Sequence, residues 1–167
     1  MDLDSALTGK AAESAGALEM LRDDHGEIRR LVAQYRAAEN ESAHARHVLI
    51  EAIAMQAELH TRIEDEVFYP AVRALCPEFV DQARETHGAM AAKIDALQAF
   101  DPGEAEYGEI AEQLIAALSE HMDEEERALF VEAERRMSAE LRALGGQIMR
   151  RKEQLTRSVE DFEGPAT

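Results

Sequence analysis

A histidine and a glutamate four residues apart, in His60-Thr61-Arg62-Ile63-Glu64, recur as His121-Met122-Asp123-Glu124-Glu125. The two units are 61 positions apart (121 − 60). Each follows a histidine–glycine pair, His25-Gly26 and His87-Gly88, and these are 62 apart (87 − 25). A repeat on this scale sets the architecture, because each half supplies the same structural unit. Four residues of α-helix turn through about 400°, so His60 and Glu64 share a face one turn apart, as do His121 and Glu125. That face is otherwise apolar: Ile53, Ala57, Val67 and Phe68 flank the first pair, and Leu114, Ala117, Leu118 and Leu129 the second. A carboxylate on a core-facing stripe costs several kcal/mol unless it is compensated. A metal ion compensates it. A lone HxxxE is ordinarily a surface contact between helix neighbours; the repetition and the apolar flanks separate these two from that case.

The rest of the chain reads as helices around these units. Aromatics make up 5% of the 167 residues and tryptophan is absent, which favours an all-α fold over a sandwich or barrel. The length suits one domain with one core. Residues 1–15 mix Asp, Ser, Gly and Ala and are expected to be disordered or weakly helical. A helix follows from about Leu18 to Ala38, with Leu18, Leu21, His25, Ile28, Val32 and Tyr35 on one stripe. Ser42 is placed to cap a second helix from about Ala43 to Leu75, kinked at Pro70. Pro77 suits the first turn of a third, from about Glu78 to Phe100, with Phe79, Ala83, His87, Met90, Ile94 and Leu97 inward. Asp101-Pro102-Gly103 is a turn, and a fourth helix runs from about Glu104 to Met137. A further helix over about 138–159, with Leu141, Leu144, Ile148, Leu155 and Val159, is expected outside the four-helix core, weakened or bent at Gly145-Gly146. The domain thus spans 16–160, with a frayed tail over 161–167.

The turns at Asn40, Pro77 and Gly103 each fall roughly midway between successive candidate ligands. In an up-down-up-down four-helix bundle, His25, His60, Glu64, His87, His121 and Glu125 therefore reach a common height. Four imidazoles and two carboxylates suit iron, manganese or zinc, and suit neither a thiolate site nor an all-oxygen calcium site. The count invites a dinuclear arrangement with two histidines on each metal and the glutamates bridging. Without metal, Glu64 and Glu125 would be buried like charges, and one would take up a proton or the core would loosen.

The net charge of −17 argues against nucleic acid and anionic membrane surfaces as partners. Cys76 is the only cysteine, so no internal disulfide can form. No N-terminal apolar run reads as a signal peptide and no stretch is long enough to span a bilayer, so a cytoplasmic protein is expected.

From His60 to Pro70, HTRIEDEVFYP, echoed by HMDEEERALF from His121 to Phe130, the chain resembles the hemerythrin-like proteins with HHE cation-binding domains. The resemblance covers roughly residues 18–157. It implies a four-helix bundle around two non-haem iron ions joined by an oxo or hydroxo bridge, with manganese and zinc ranking behind iron. It assigns His25 and His60 to one iron, His87 and His121 to the other, and Glu64 and Glu125 to both. Oxygen-carrying hemerythrins have a further histidine one turn from the counterpart of His87; here the neighbours are Ala83, Arg84, Met90 and Ala91. The departure argues against reversible oxygen carriage and for a site that reacts with hydrogen peroxide, dioxygen or nitric oxide. Relatives with four histidines include iron–sulfur repair proteins, iron sensors and bacterial proteins with catalase-like activity. The 167 residues contain neither the cysteine-bearing domain of the first nor the ligase module of the second, so a stand-alone redox or sensing protein is expected. A non-enzymatic sensor or binding module for oxygen, nitric oxide or iron, and a structural zinc site or plain interaction bundle, are the competing readings.

The remaining polar residues read as peripheral. Asp65, Glu66, Glu124 and Glu126 are expected to be exposed acids, with Glu66 or Glu124 able to serve as a partner to a ligand. His44 and His47 are expected to be exposed, His47 being roughly 20 Å along the helix from His60. Met90 is expected to be packing and Cys76 a small apolar residue. Tyr35 and Tyr69 are expected in the core or at its rim, Tyr69 about 180° around the helix from His60 and so badly placed as a ligand unless the Pro70 kink swings it round.

Overall fold

A computed structural model describes residues 16–162, with side chains through Arg157. The expectations for residues 1–15, for the Val159 side chain and for 163–167 lie outside the described residues. Every element described is helical: α1 (Ala17–Ala37), α2 (Ala43–Ile63), a π-helical turn (Glu64–Phe68), α3 (Tyr69–Val72), α4 (Pro77–Leu97), α5 (Ala105–Glu124), a second π-helical turn (Glu125–Leu129), α6 (Phe130–Met137) and α7 (Glu140–Phe162). α2, the first π turn and α3 form one rod of the bundle; α5, the second π turn and α6 form another.

The expected boundary chemistry is present. The Ser42 hydroxyl accepts from the Ala45 N–H at 3.2 Å, supplying one of the acceptors a helix start lacks. Pro77 opens α4, where its missing N–H has no helical partner to lose.

The core has two apolar clusters. One holds Ile28, Val32, Ile53, Ala57, Met90 and Leu118 among its members. The other holds Leu21, Ile63, Ala83, Leu129 and Phe130 among its members. In sequence, four candidate ligands fall between a member of one set and a member of the other, His25 between Leu21 and Ile28, His60 between Ala57 and Ile63, His87 between Ala83 and Met90, and Glu125 between Met122 and Leu129, while Glu64 and His121 stand beside that boundary. A polar layer therefore divides the core across its waist. Among the described residues, the buried polar side chains are His25, His60, Glu64, His87, His121 and Glu125.

On α4 the inward position at its start is Val80, fully buried, and Phe79 beside it is only half-buried. The spacing from Val80 through Ala83, His87, Met90, Ile94 and Leu97 alternates three and four residues, which Phe79 would break. α7 lies outside the four rods, against α1, α2, the first π turn and α6. Leu141, Leu144, Ile148 and Leu155 enter the second cluster, worth roughly 1.5–3 kcal/mol each in apolar burial. The helix continues through Gly145-Gly146 without interruption. No helix among the described residues is long and apolar enough to cross a membrane.

Candidate metal centre

The site is shaped by a backbone irregularity that follows each HxxxE unit. The Tyr69 N–H bonds to the Glu64 carbonyl, and the Phe130 N–H to that of Glu125, each five residues back. Such a turn takes in about one residue more than an α turn. Just ahead of Pro70, the expected site of a kink, the backbone forms this π turn, and such a turn does not require proline, because the second forms with Val131 in the corresponding place. What the two turns share is the HxxxE unit.

The extra residue rotates everything after Glu64 by about 100° relative to a continuous α-helix. Val67 moves to a half-buried position, and Tyr69 comes into the core, fully buried. Its Oη donates to Glu125 Oε1 at 2.7 Å and lies 3.3 Å from His87 Nε2 and 3.5 Å from Glu64 Oε2. The phenol ring stacks on His87 at 5.4 Å between centroids. Phe130, its counterpart in the repeat, stacks on His25 at 5.5 Å and brings no hydroxyl. At this position the two halves of the site differ by one polar atom. Burial, with the charges of Glu64 and Glu125 behind it, pushes the Tyr69 phenol far above its ordinary range, so it keeps its proton. Tyr69→Phe is expected to cost the metal-free protein about 2 kcal/mol, the range for a hydrogen bond to a buried carboxylate, measured by urea unfolding.

The six expected residues converge. His25 Nε2 and His60 Nε2 are 3.1 Å apart, and His87 Nε2 and His121 Nε2 are 3.0 Å apart. Glu64 Oε2 lies 3.2 Å from His60 Nε2, 3.4 Å from His87 Nε2 and 3.6 Å from His121 Nε2. Glu125 Oε2 lies 3.4 Å from His25 Nε2 and 3.5 Å from His121 Nε2. Two donor groups able to hold a metal ion result among the described residues: His25, His60, Glu64 and Glu125, and Glu64, His87 and His121. Glu64 belongs to both.

Proton positions decide what such an arrangement can do. His25 Nδ1 donates to Glu126 at 2.6 Å, and His87 Nδ1 to Asp65 at 3.2 Å. Burial holds the His60 imidazole down to about 4 against the pull of Asp24, so that ring is neutral at pH 7. A neutral ring that donates through Nδ1 presents a lone pair at Nε2. Where both rings of a pair are in that form, the facing Nε2 atoms repel unless a cation stands between them and is ligated by both. Two nitrogens each about 2.1 Å from a metal are about 3.0 Å apart at a right angle, so the spacing fits. Glu64 Oε1 and Glu125 Oε2 are buried without a hydrogen-bond partner, and burial, reinforced by Glu125, drives the Glu64 carboxyl well above its usual range. The donor set, the orphaned oxygens and the nitrogen spacing all fit metal cations.

Several side chains behave otherwise than their sequence positions suggested. Asp65 and Glu126, expected in solvent, are half-buried. Each follows a glutamate of the site and crosses to a histidine of the other half of the repeat, because the widened turn aims it at the adjacent rod. Their separation, again 61 (126 − 65), is the signal that could have singled them out. Asp24, which packs its carboxylate toward His60 Nδ1 at 3.6 Å, has no such counterpart, since Thr86 precedes His87. Glu66 pairs with Arg62 and Arg151 on the surface, and Glu124 is exposed. His47 is half-buried and hydrogen-bonded to Tyr107 Oη at 2.7 Å, while His44 is exposed as expected. Met90 is buried packing. Cys76 stands just ahead of α4, outside either donor group.

Fold and site together define a class: a four-helix bundle with a histidine–carboxylate cluster able to hold metal in its core. The chain belongs to the hemerythrin HHE cation binding domain family, whose sequence model matches residues 16–133. It is similar to the crystal structure of a hemerythrin HHE cation binding domain-containing protein from Mycobacterium kansasii, with 28% identity and a TM-score of 0.74 over 86% of this chain and 89% of that one. No curated protein matches the chain.

Proposed function

We propose that the protein is a non-haem di-iron protein that reacts with hydrogen peroxide, dioxygen or nitric oxide, and that it decomposes hydrogen peroxide as a catalase does. The observation that carries this reading is the polar layer itself: six buried ionisable side chains whose nitrogen and oxygen atoms gather into two donor groups. His25 and His60 would hold one iron, His87 and His121 the other, and Glu64 and Glu125 would reach both. Iron suits a mixed nitrogen and oxygen donor set without thiolate. A bound iron pair supplies two adjacent Lewis-acidic, redox-active centres.

The protein's own groups have separate tasks. Asp65 and Glu126 fix two rings with Nε2 inward. Tyr69 holds a proton at Oη against Glu125, a donor that a small oxidant could meet without bulk water. Phe68, Leu129 and Phe130 keep that water out. One turn from His87, the buried residues are Ala83 and Met90, which add no strong iron ligand.

Oxygen release by the iron-loaded protein, followed with an electrode, tests the reading. One O2 is expected for every two H2O2 consumed, with the activity lost in Glu64→Ala and His121→Ala. A stable oxygen or nitric oxide adduct without oxygen release would instead support sensing, and release that survives both substitutions would refute the assignment to this site.

A further inference from the structure

We propose that Lys152, on the C-terminal helix α7, is a positioning residue for His60 and acts through Asp24, so that α7 is part of the metal centre's construction. This rests on the reading of the layer as a metal site. Three of the four histidines face a carboxylate through Nδ1, and each carboxylate is held in turn by a cation. Glu126 bonds His25 and accepts from Arg29 at 2.8 Å. Asp65 bonds His87 and lies 3.4 Å from Arg84. Asp24 faces His60 and accepts from Lys152 Nζ at 2.5 Å. Arg29 and Arg84 belong to the bundle's own rods, α1 and α4. Lys152 does not: it comes from the helix packed outside them, beyond residue 133, where the family match ends.

The third arrangement also differs in geometry. Asp24 Oδ1 is held by Lys152, whereas Oδ2 stops 3.6 Å short of His60 Nδ1, and both of those atoms are buried without a hydrogen-bond partner. Closing the gap by about half an ångström makes the bond. Where Asp24 sits is governed by Lys152, so Lys152 decides whether the His60 ring is fixed with Nε2 toward Glu64 Oε2 and His25 Nε2. Without the ammonium, a mostly buried carboxylate is left uncompensated and turns toward water, and His60 Nδ1 loses the carboxylate it faces. Partners of this kind typically change metal affinity by about 10–100-fold.

The experiment uses the full chain, with zinc as a diamagnetic probe, and follows extraction of bound zinc by a chelator together with the His60 ring tautomer by nitrogen-15 NMR of the metal-free protein. Lys152→Met, which keeps the aliphatic stem, should speed extraction about tenfold and shift His60 away from the Nδ1–H tautomer, with Lys152→Gln as a second removal of the charge. Lys152→Arg should stay within about threefold of wild type. Arg157→Gln, in an exposed pair on the same helix, should change nothing. Asp24→Asn should match Lys152→Met, and the double variant should be no faster than Asp24→Asn alone. Wild-type behaviour in Lys152→Met and Lys152→Gln, equal damage in Lys152→Arg, or additive effects in the double variant would overturn the proposal. If the wild type takes up no zinc, the metal reading fails, while the tautomer in the metal-free proteins still decides the role of Lys152.

Discussion

Protein stripped of metal is expected to melt about 10 °C or more below the same protein loaded with two ferrous ions per chain. The expectation follows from what the layer contains when nothing binds it. Glu64 and Glu125 are fully buried, and each has an oxygen without a partner. Each of these is a cost to the metal-free fold that a cation removes. A ligand that binds only the folded state at a thousand times its dissociation constant adds about 4 kcal/mol per site. For a chain of this length, 1 kcal/mol moves the melting temperature by about 2–4 °C. Calorimetry before and after chelation, with metal loss confirmed by elemental analysis, makes the comparison. Superimposable melting curves would contradict a core site.

Replacing Glu64 by methionine is expected to act with opposite sign on the two forms. In the metal-free protein it removes a buried carboxyl whose Oε1 has no partner and which sits against the Glu125 carboxylate. A buried polar atom without a partner costs about 1–3 kcal/mol, and a like charge beside it adds to that, so the metal-free variant should melt a few degrees above metal-free wild type. Glu64 also belongs to both donor groups, so the same change should abolish the increment gained on loading. The loaded variant then melts below loaded wild type. Chemical denaturation of the four species reads both effects at once. A variant that is destabilised without metal and still gains from loading would show that Glu64 is a structural residue rather than a ligand.

The features legible in the sequence were those that repeat or that obey α-helical periodicity. His25, His60, Glu64, His87, His121 and Glu125 stand on stripes whose other members are apolar, and the turns place them at one level, so the polar layer could be derived without coordinates. Ser42, Pro77 and Asp101-Pro102-Gly103 mark helix ends by local chemistry and needed nothing from the rest of the fold. What escaped depended on geometry that periodicity does not encode. A π turn changes the phase of the stripe by about one residue, so Tyr69, assigned opposite His60 on an ideal helix, enters the site, and Asp65 leaves solvent for His87. Pro70 drew attention as the source of irregularity, yet Val131 stands at the matching place in a second turn of the same kind. His47 and Tyr107 meet across rods 60 residues apart in sequence, and Lys152 and Asp24 across 128. Pairings of that range follow from how the rods pack, and no local pattern announces them.

Anaerobic equilibrium titration of the metal-free protein with ferrous iron, with bound metal counted per chain, tests the central claim most directly. The account predicts saturation at two ions per chain in the wild type and loss of tight binding in Glu64→Met, with helical content unchanged by circular dichroism. Saturation at one ion or none, or two ions bound equally well without the Glu64 carboxylate, would contradict it.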